Sequence, residues 1–267
     1  MPVGMLVVFL SSFVSPWTNT TFEVAAGETF TVTKGNEFIV TRFWKMGDGS
    51  TLNFAPDVTT FTIVAEEASF GNDVTIDGSG IPGAIGQSGV SATTRSGAGD
   101  CRYGHAGTSA ANGKDGGDGV VLQFTIGISE LGSVMIMADG GAGGNGGNGG
   151  NGMSGSKGDC SQTCNGGSGG GGGNGGHGGN GGNGGAVRLE YKFLDTGLDI
   201  GRINIRSSAG GMGQGGKAGI GGQGGRGRTC PWPAPNRSGG GDGSSGSAGV
   251  NGSMGHEGDI QTLRRED

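Results

Sequence analysis

Of 267 residues, 69 are Gly, about a quarter of the chain where ~7% is usual. The 17 Lys and Arg against 23 Asp and Glu give a formal net charge of -6, which argues against general nucleic-acid or anionic-membrane binding. No apolar run is long enough to span a bilayer, so integral membrane insertion is not expected.

The stretch from Met1 to Ser15 is apolar, centred on Leu6, Val7, Val8, Phe9 and Leu10. It reads as a secretory leader ahead of Pro16, as a first β-strand, or as an exposed strand that completes a neighbouring subunit's sheet. Under the last reading those five central residues carry self-assembly. Residues 1–19 are therefore set apart as an apolar leader or donor-like strand.

Residues 20–77 read as short strands: Thr21 to Ala25, Thr29 to Thr33, Glu37 to Trp44, Thr51 to Phe54 and Thr60 to Ala65. Turn signals separate them at Ala26-Gly27, Lys34-Gly35-Asn36 and Gly47-Asp48-Gly49. Six later strands join them, near Val74, Val121, Val134, Val187, Ile203 and Ile260. Val187, Leu189, Tyr191 and Phe193 alternate with Arg188, Glu190 and Lys192, the period of a half-buried strand. The expected fold is all-β, an antiparallel β-sandwich base of about ten strands. It is built from 20–77 and the returning segments 119–139, 186–208 and 259–263.

Three Gly-rich excursions, 78–118, 140–185 and 209–258, each leave one strand and return to the next. Within them Gly recurs at every third position, as in Gly140, Gly143, Gly146 and Gly149, a phase that a flexible linker has no reason to keep. Period three in extended backbone belongs to a threefold helix rising about 3.1 Å per residue. Residues without side chains let such backbones pack side by side, as in polyglycine II. Each phase breaks near mid-block, so each block is read as a hairpin, and three hairpins make a bundle of six polyglycine-II helices. The middle block carries two Gly per triplet and is expected in the interior.

The four cysteines fall at these phase breaks: Cys101, Cys160 with Cys164, and Cys230. The economical pairing joins Cys101 to one of Cys160 or Cys164 and Cys230 to the other. The local pair Cys160–Cys164, leaving Cys101 with Cys230, stays open. Disulfides imply an extracellular, cell-surface or virion-surface location. A zinc site fits poorly, because Cys101 and Cys230 stand singly on distant segments. Around the cysteines lie Arg102, Tyr103, His105, Arg228, Trp232 and Arg237, a cationic and aromatic set suited to anionic sugars or a protein partner. The alternative for Trp232 is a lid packed over the disulfides.

No catalytic, cofactor or metal site is expected. His105, His177 and His256 are the only histidines, and no Ser, His and acid set can be assembled around them. Matches to Gly-x-Gly-x-x-Gly arise trivially from the triplets, and none opens a helix.

The Gly-Gly-Asn tracts at 143–151 and 175–183, with flanking strands and variable tips, resemble the polyglycine sandwich of the tail-fibre tip adhesins of T-even-like bacteriophages. The likeness covers about 77–259; that family's Trp-rich amino-terminal attachment region has no counterpart here. It implies a receptor-recognition role for Arg102, Tyr103, His105, Arg228, Trp232 and Arg237. The arms also look like springtail antifreeze proteins, although Asn, Lys and Gln at outward positions do not suit ice. The function read from the sequence is a non-enzymatic extracellular structural protein, a fibre, sheath or matrix subunit with adhesive potential at its tips. The alternative is an adhesin for a cell-surface glycan or outer-membrane protein.

Overall fold

The computed structural model describes residues 20–93 and 101–266. The segment that carries Leu6, Val7, Val8, Phe9 and Leu10 lies outside them.

Among the described residues there are eleven strands: β1 (Thr21–Val24), β2 (Thr29–Val32), β3 (Phe38–Met46), β4 (Thr51–Phe54), β5 (Thr60–Phe70), β6 (Val74–Asp77), β7 (Val121–Leu131), β8 (Val134–Met137), β9 (Val187–Phe193), β10 (Ile203–Arg206) and β11 (Ile260–Arg264). Odd-numbered strands form one sheet in the order β1-β3-β5-β7-β9-β11, and even-numbered strands form the other, β10-β8-β6-β4-β2.

Every strand pair within both sheets is parallel, which overturns the antiparallel sandwich expected from the sequence. The reason is where the short turns lead. A parallel neighbour needs a long crossover, and here the crossover is a strand of the opposite sheet. The turn between Val24 and Thr29 carries the chain from one layer to the other, and the segment between Val32 and Phe38 brings it back beside β1. Phe22 consequently lies against Trp44, and Phe30 against Leu52. The chain winds as a flattened coil, so the architecture is a β-sandwich with parallel layers.

The core fills the space between the layers. Trp44, Phe61, Phe124, Ile126 and Leu189 project from one sheet and Leu52, Val74, Ile76 and Ile136 from the other, all buried. Trp44 stacks on Phe124 at 5.8 Å and meets Phe70 edge-on at 4.9 Å. Strand β5 runs past its expected end at Ala65, and its partner β7 continues beside it to Leu131, through a register shift at Ala65/Ala68.

The Gly-rich blocks extend this winding beyond the sheets as six extended arms, with neither helix nor strand assigned: arm 1 (78–93), arm 2 (102–119), arm 3 (138–158), arm 4 (165–185), arm 5 (207–227) and arm 6 (238–259). Arms 1, 3 and 5 continue β6, β8 and β10, while arms 2, 4 and 6 lead into β7, β9 and β11. Hydrogen bonds recur every third residue. Gly143 N donates to Gly211 O in the same layer and Gly144 N to Lys114 O in the other, both at 2.8 Å. Arms 3 and 4 lie centrally, bonded to arms on both sides and across the layers.

In many triplets the third N–H points along the outer surface, where a side chain of the neighbouring arm receives it. Asn145 Oδ1 accepts from Gln214 N at 2.8 Å, Asn148 Oδ1 from Lys217 N at 2.9 Å and Asn180 Oδ1 from Ser253 N at 2.9 Å. Through these positions the arms meet their backbone donors without a conventional ladder. At the arm roots, Asp139 Oδ1 accepts from Ser208 N at 2.7 Å, and its other oxygen accepts from Arg206 Nε at 2.6 Å.

Candidate functional site at the disulfide-clamped tips

The arms place three tips side by side. Cys101 bonds to Cys164 and Cys160 to Cys230, with Cα separations of 5.9 and 5.6 Å, so the middle tip is tied to each outer one. The local Cys160–Cys164 pair left open by the spacing does not form. Buried Gly backbone offers little apolar surface to offset the entropy of ordering it, so cross-links at the far ends restrain what the core cannot reach.

The middle and third tips each have an internal fastening. In the middle tip Asp159 and Cys164 exchange backbone hydrogen bonds of 3.1 and 3.2 Å, and Asp159 Oδ1 accepts from the Ser161 N–H at 2.7 Å. In the third tip Arg228 and Arg237 exchange bonds of 3.0 and 2.8 Å, closing a loop in which Asn236 Oδ1 accepts from Cys230 N at 2.9 Å. Trp232 sits in that loop, followed by a cis peptide to Pro233. It is 92% exposed, so it is not a lid packed over the disulfides. Tyr103 is 74% exposed.

The sequence-derived residues thus fall into two groups flanking the middle tip. Arg228, Trp232 and Arg237 share one loop. Arg102, Tyr103 and His105 open arm 2, where Arg102 O accepts from Ser156 N at 2.9 Å and His105 O from Met153 N at 2.8 Å. No ring contact joins Tyr103 to Trp232 among the described residues. The fastening roles of Asp159 and Asn236 were missed from sequence; the Asp-Cys-Ser step of the middle tip was the available signal. Tip segments 100–105, 157–164 and 226–237 hold Arg102, Lys157, Arg226, Arg228 and Arg237 against Asp100 and Asp159, on a chain of net charge -6.

The flanks of the bundle have a different character. Gly141, Gly144, Gly147 and Gly150 of arm 3 abut arm 1, where an added Cβ would overlap the carbonyls of Ile81, Ala84, Gln87 and Val90. Those four carbonyl-bearing residues occupy the same register positions in arm 1, and their side chains stand where another arm would have to lie. On the far flank Asp242, Ser245 and Asn251 of arm 6 take positions that are Gly in arm 4. Their side chains accept from Gly224, Gly221 and Gly215 N at 2.7, 3.5 and 2.9 Å. Both flanks are closed to a seventh arm.

Among the described residues, no group of His, Cys, Asp or Glu is placed to hold a metal ion, and no helix is long and apolar enough to cross a membrane. The two disulfides are compatible with an extracellular protein. Searches of known protein families, curated proteins and solved structures find no match to this chain.

Proposed function

We propose that the protein is a non-enzymatic extracellular adhesin, in which stiff Gly-rich arms hold the clamped tips as a recognition surface. The observation that carries this reading is Trp232: a large aromatic side chain, 92% exposed, in a loop fixed by Cys160–Cys230 and by the Arg228–Arg237 pairing. A rigid exposed aromatic beside arginines binds partners at low entropic cost. The resemblance of the Gly-Gly-Asn arms to the polyglycine-II sandwich of phage tail-fibre tip adhesins supports the same role. The rival reading, a fibre or sheath subunit built by packing Gly arms between molecules, loses support because side chains stand along both flanks of the bundle.

The test is binding of labelled protein to a panel of bacterial cells, with Trp232→Ala and Arg228→Ala combined as the variant. Wild type is expected to bind a subset of cells and the variant none. Undiminished binding by the variant, or no binding by wild type to any cell, overturns the reading. Electron microscopy of the purified protein is expected to show discrete particles rather than filaments.

A further inference from the structure

Nine Asn residues of the chain are followed by Gly, and all nine lie in the arms. Asn-Gly is the step at which a peptide chain most readily deamidates, because a successor without a side chain leaves its backbone nitrogen unhindered. That nitrogen, losing its proton to base, bonds to Asn Cγ. The side-chain nitrogen leaves as ammonia and a succinimide ring closes. Water then opens the ring to Asp or to isoAsp, so each event consumes one water and releases one ammonia. All nine Asn residues are exposed, so burial does not keep water from them.

Hydrogen bonds hold both reacting groups instead. Gly146 N donates to Gln214 O at 2.8 Å while Asn145 Oδ1 accepts from Gln214 N at 2.8 Å, so one residue of arm 5 clamps the whole step. Asn183 and Gly184 close the same ring on His256, at 2.9 and 2.8 Å. Eight of the nine steps are clamped in this way on a single residue. The ninth, Asn251-Gly252, is held by Gly215 N and Gly213 O, both at 2.9 Å. For a succinimide to form, the Gly N–H must leave its carbonyl, and so the arm must part from its neighbour. Asp115 and Asp118 take the Asn place in the same ring. They accept from Asn180 N and Asn183 N at 2.6 Å, while Gly116 and Gly119 donate to the carbonyls of those two residues.

We infer that the Asn-Gly steps are modification sites latent in the folded arms: they deamidate where an arm has opened, and the isoAsp product then keeps it open. Asp retains the acceptor and fits the ring, as it does at Asp115. IsoAsp routes the main chain through the side-chain carbons, one atom longer, and shifts every triplet beyond it against the adjoining arm. Local opening is ordinarily reversible; here it leaves a covalent record. None of this depends on what the tips bind.

The experiment incubates the full, disulfide-bonded chain in mildly alkaline buffer, beside the same chain reduced and held unfolded in guanidinium. Peptide mass spectrometry follows each Asn, with isoAsp and Asp scored separately. All nine Asn-Gly sites are expected to convert in the unfolded chain, and at least about tenfold more slowly in the folded one. Asn53, Asn72 and Asn204, which no Gly follows, should lag behind them in the unfolded chain. When the aged, unfolded chain is returned to native, oxidising buffer, the fraction that refolds should show a lower ratio of isoAsp to Asp than the starting material. Asn148→Asp, which sets the Asp product in the ring on Lys217, should keep the wild-type midpoint of chemical denaturation. Equal rates in the folded and unfolded chains, an unchanged isoAsp ratio after refolding, or a lowered midpoint for Asn148→Asp overturns the inference.

Discussion

His177 Nδ1 accepts the Val250 N–H at 3.0 Å, in the place that Asn174 and Asn180 Oδ1 occupy for Ser247 and Ser253. The imidazole is a substitute in a column of side-chain acceptors. His177→Asn should therefore keep the wild-type midpoint of chemical denaturation. His177→Ala leaves that N–H without its acceptor and should cost about 1 kcal/mol. Equal midpoints for the two variants would remove the column from the account of arm stability.

Glycines of the arms differ sharply in tolerance. A Cβ at Gly144 would overlap the Ala84 carbonyl, whereas nothing lies within 4 Å of one at Gly211. Gly144→Ala should destabilise the arms by about 3 kcal/mol or more, because backbone rather than a flexible side chain must move. Gly211→Ala should be neutral or gain about 0.4–1 kcal/mol from a less flexible unfolded chain. Thermal unfolding of the two single variants distinguishes steric packing from mere glycine content.

The disulfides close segments with sequence separations of 63 and 70 residues. Opening each should lower stability by about 3–4 kcal/mol through restored freedom of the unfolded chain. Hydrogen exchange under reducing conditions should show the outer triplets of the arms losing protection first, with β5 and β7 in the core unaffected. Uniform loss of protection would mean that arms and core unfold together.

Closed flanks make a solution prediction. A variant with Gly at Ile81, Ala84, Gln87 and Val90 exposes an unobstructed backbone edge and should self-associate with rising concentration, as judged by sedimentation. Wild type should show none of this lateral association. A variant as dispersed as wild type would show that those side chains are not what stops the bundle at arm 1.

Strand positions were largely legible. Val187, Leu189 and Tyr191 are buried as their alternation implies, β4 has the ends read from sequence, and β8 and β10 begin at the Val134 and Ile203 named there. Direction was not legible, because Ala26-Gly27 gives the same turn signal whether it joins neighbours in one sheet or strands of facing layers. The far ends of β5 and β7 were hidden for a local reason: the register shift at Ala65/Ala68 breaks the period of two just where Glu66 and Glu67 interrupt the apolar pattern. The cysteines stood out at the breaks in triplet phase, yet spacing alone left their partners open. The outward Asn residues were read only as unsuited to ice, although their recurrence in register with Gly was visible. What the sequence lacked was the neighbouring arm, whose N–H groups give those amides their task.

Because the contacts between neighbouring arms repeat only after three residues, the reach of this molecule is quantised. A single inserted residue would throw one limb out of step with every neighbour, whereas a whole triplet added to both limbs of each hairpin would lengthen the shaft and leave its cross-section intact. The far loops are under no such constraint. New sequences could be exchanged between fixed cysteine posts without renegotiating the shaft beneath, which separates how far the protein extends from what it meets there.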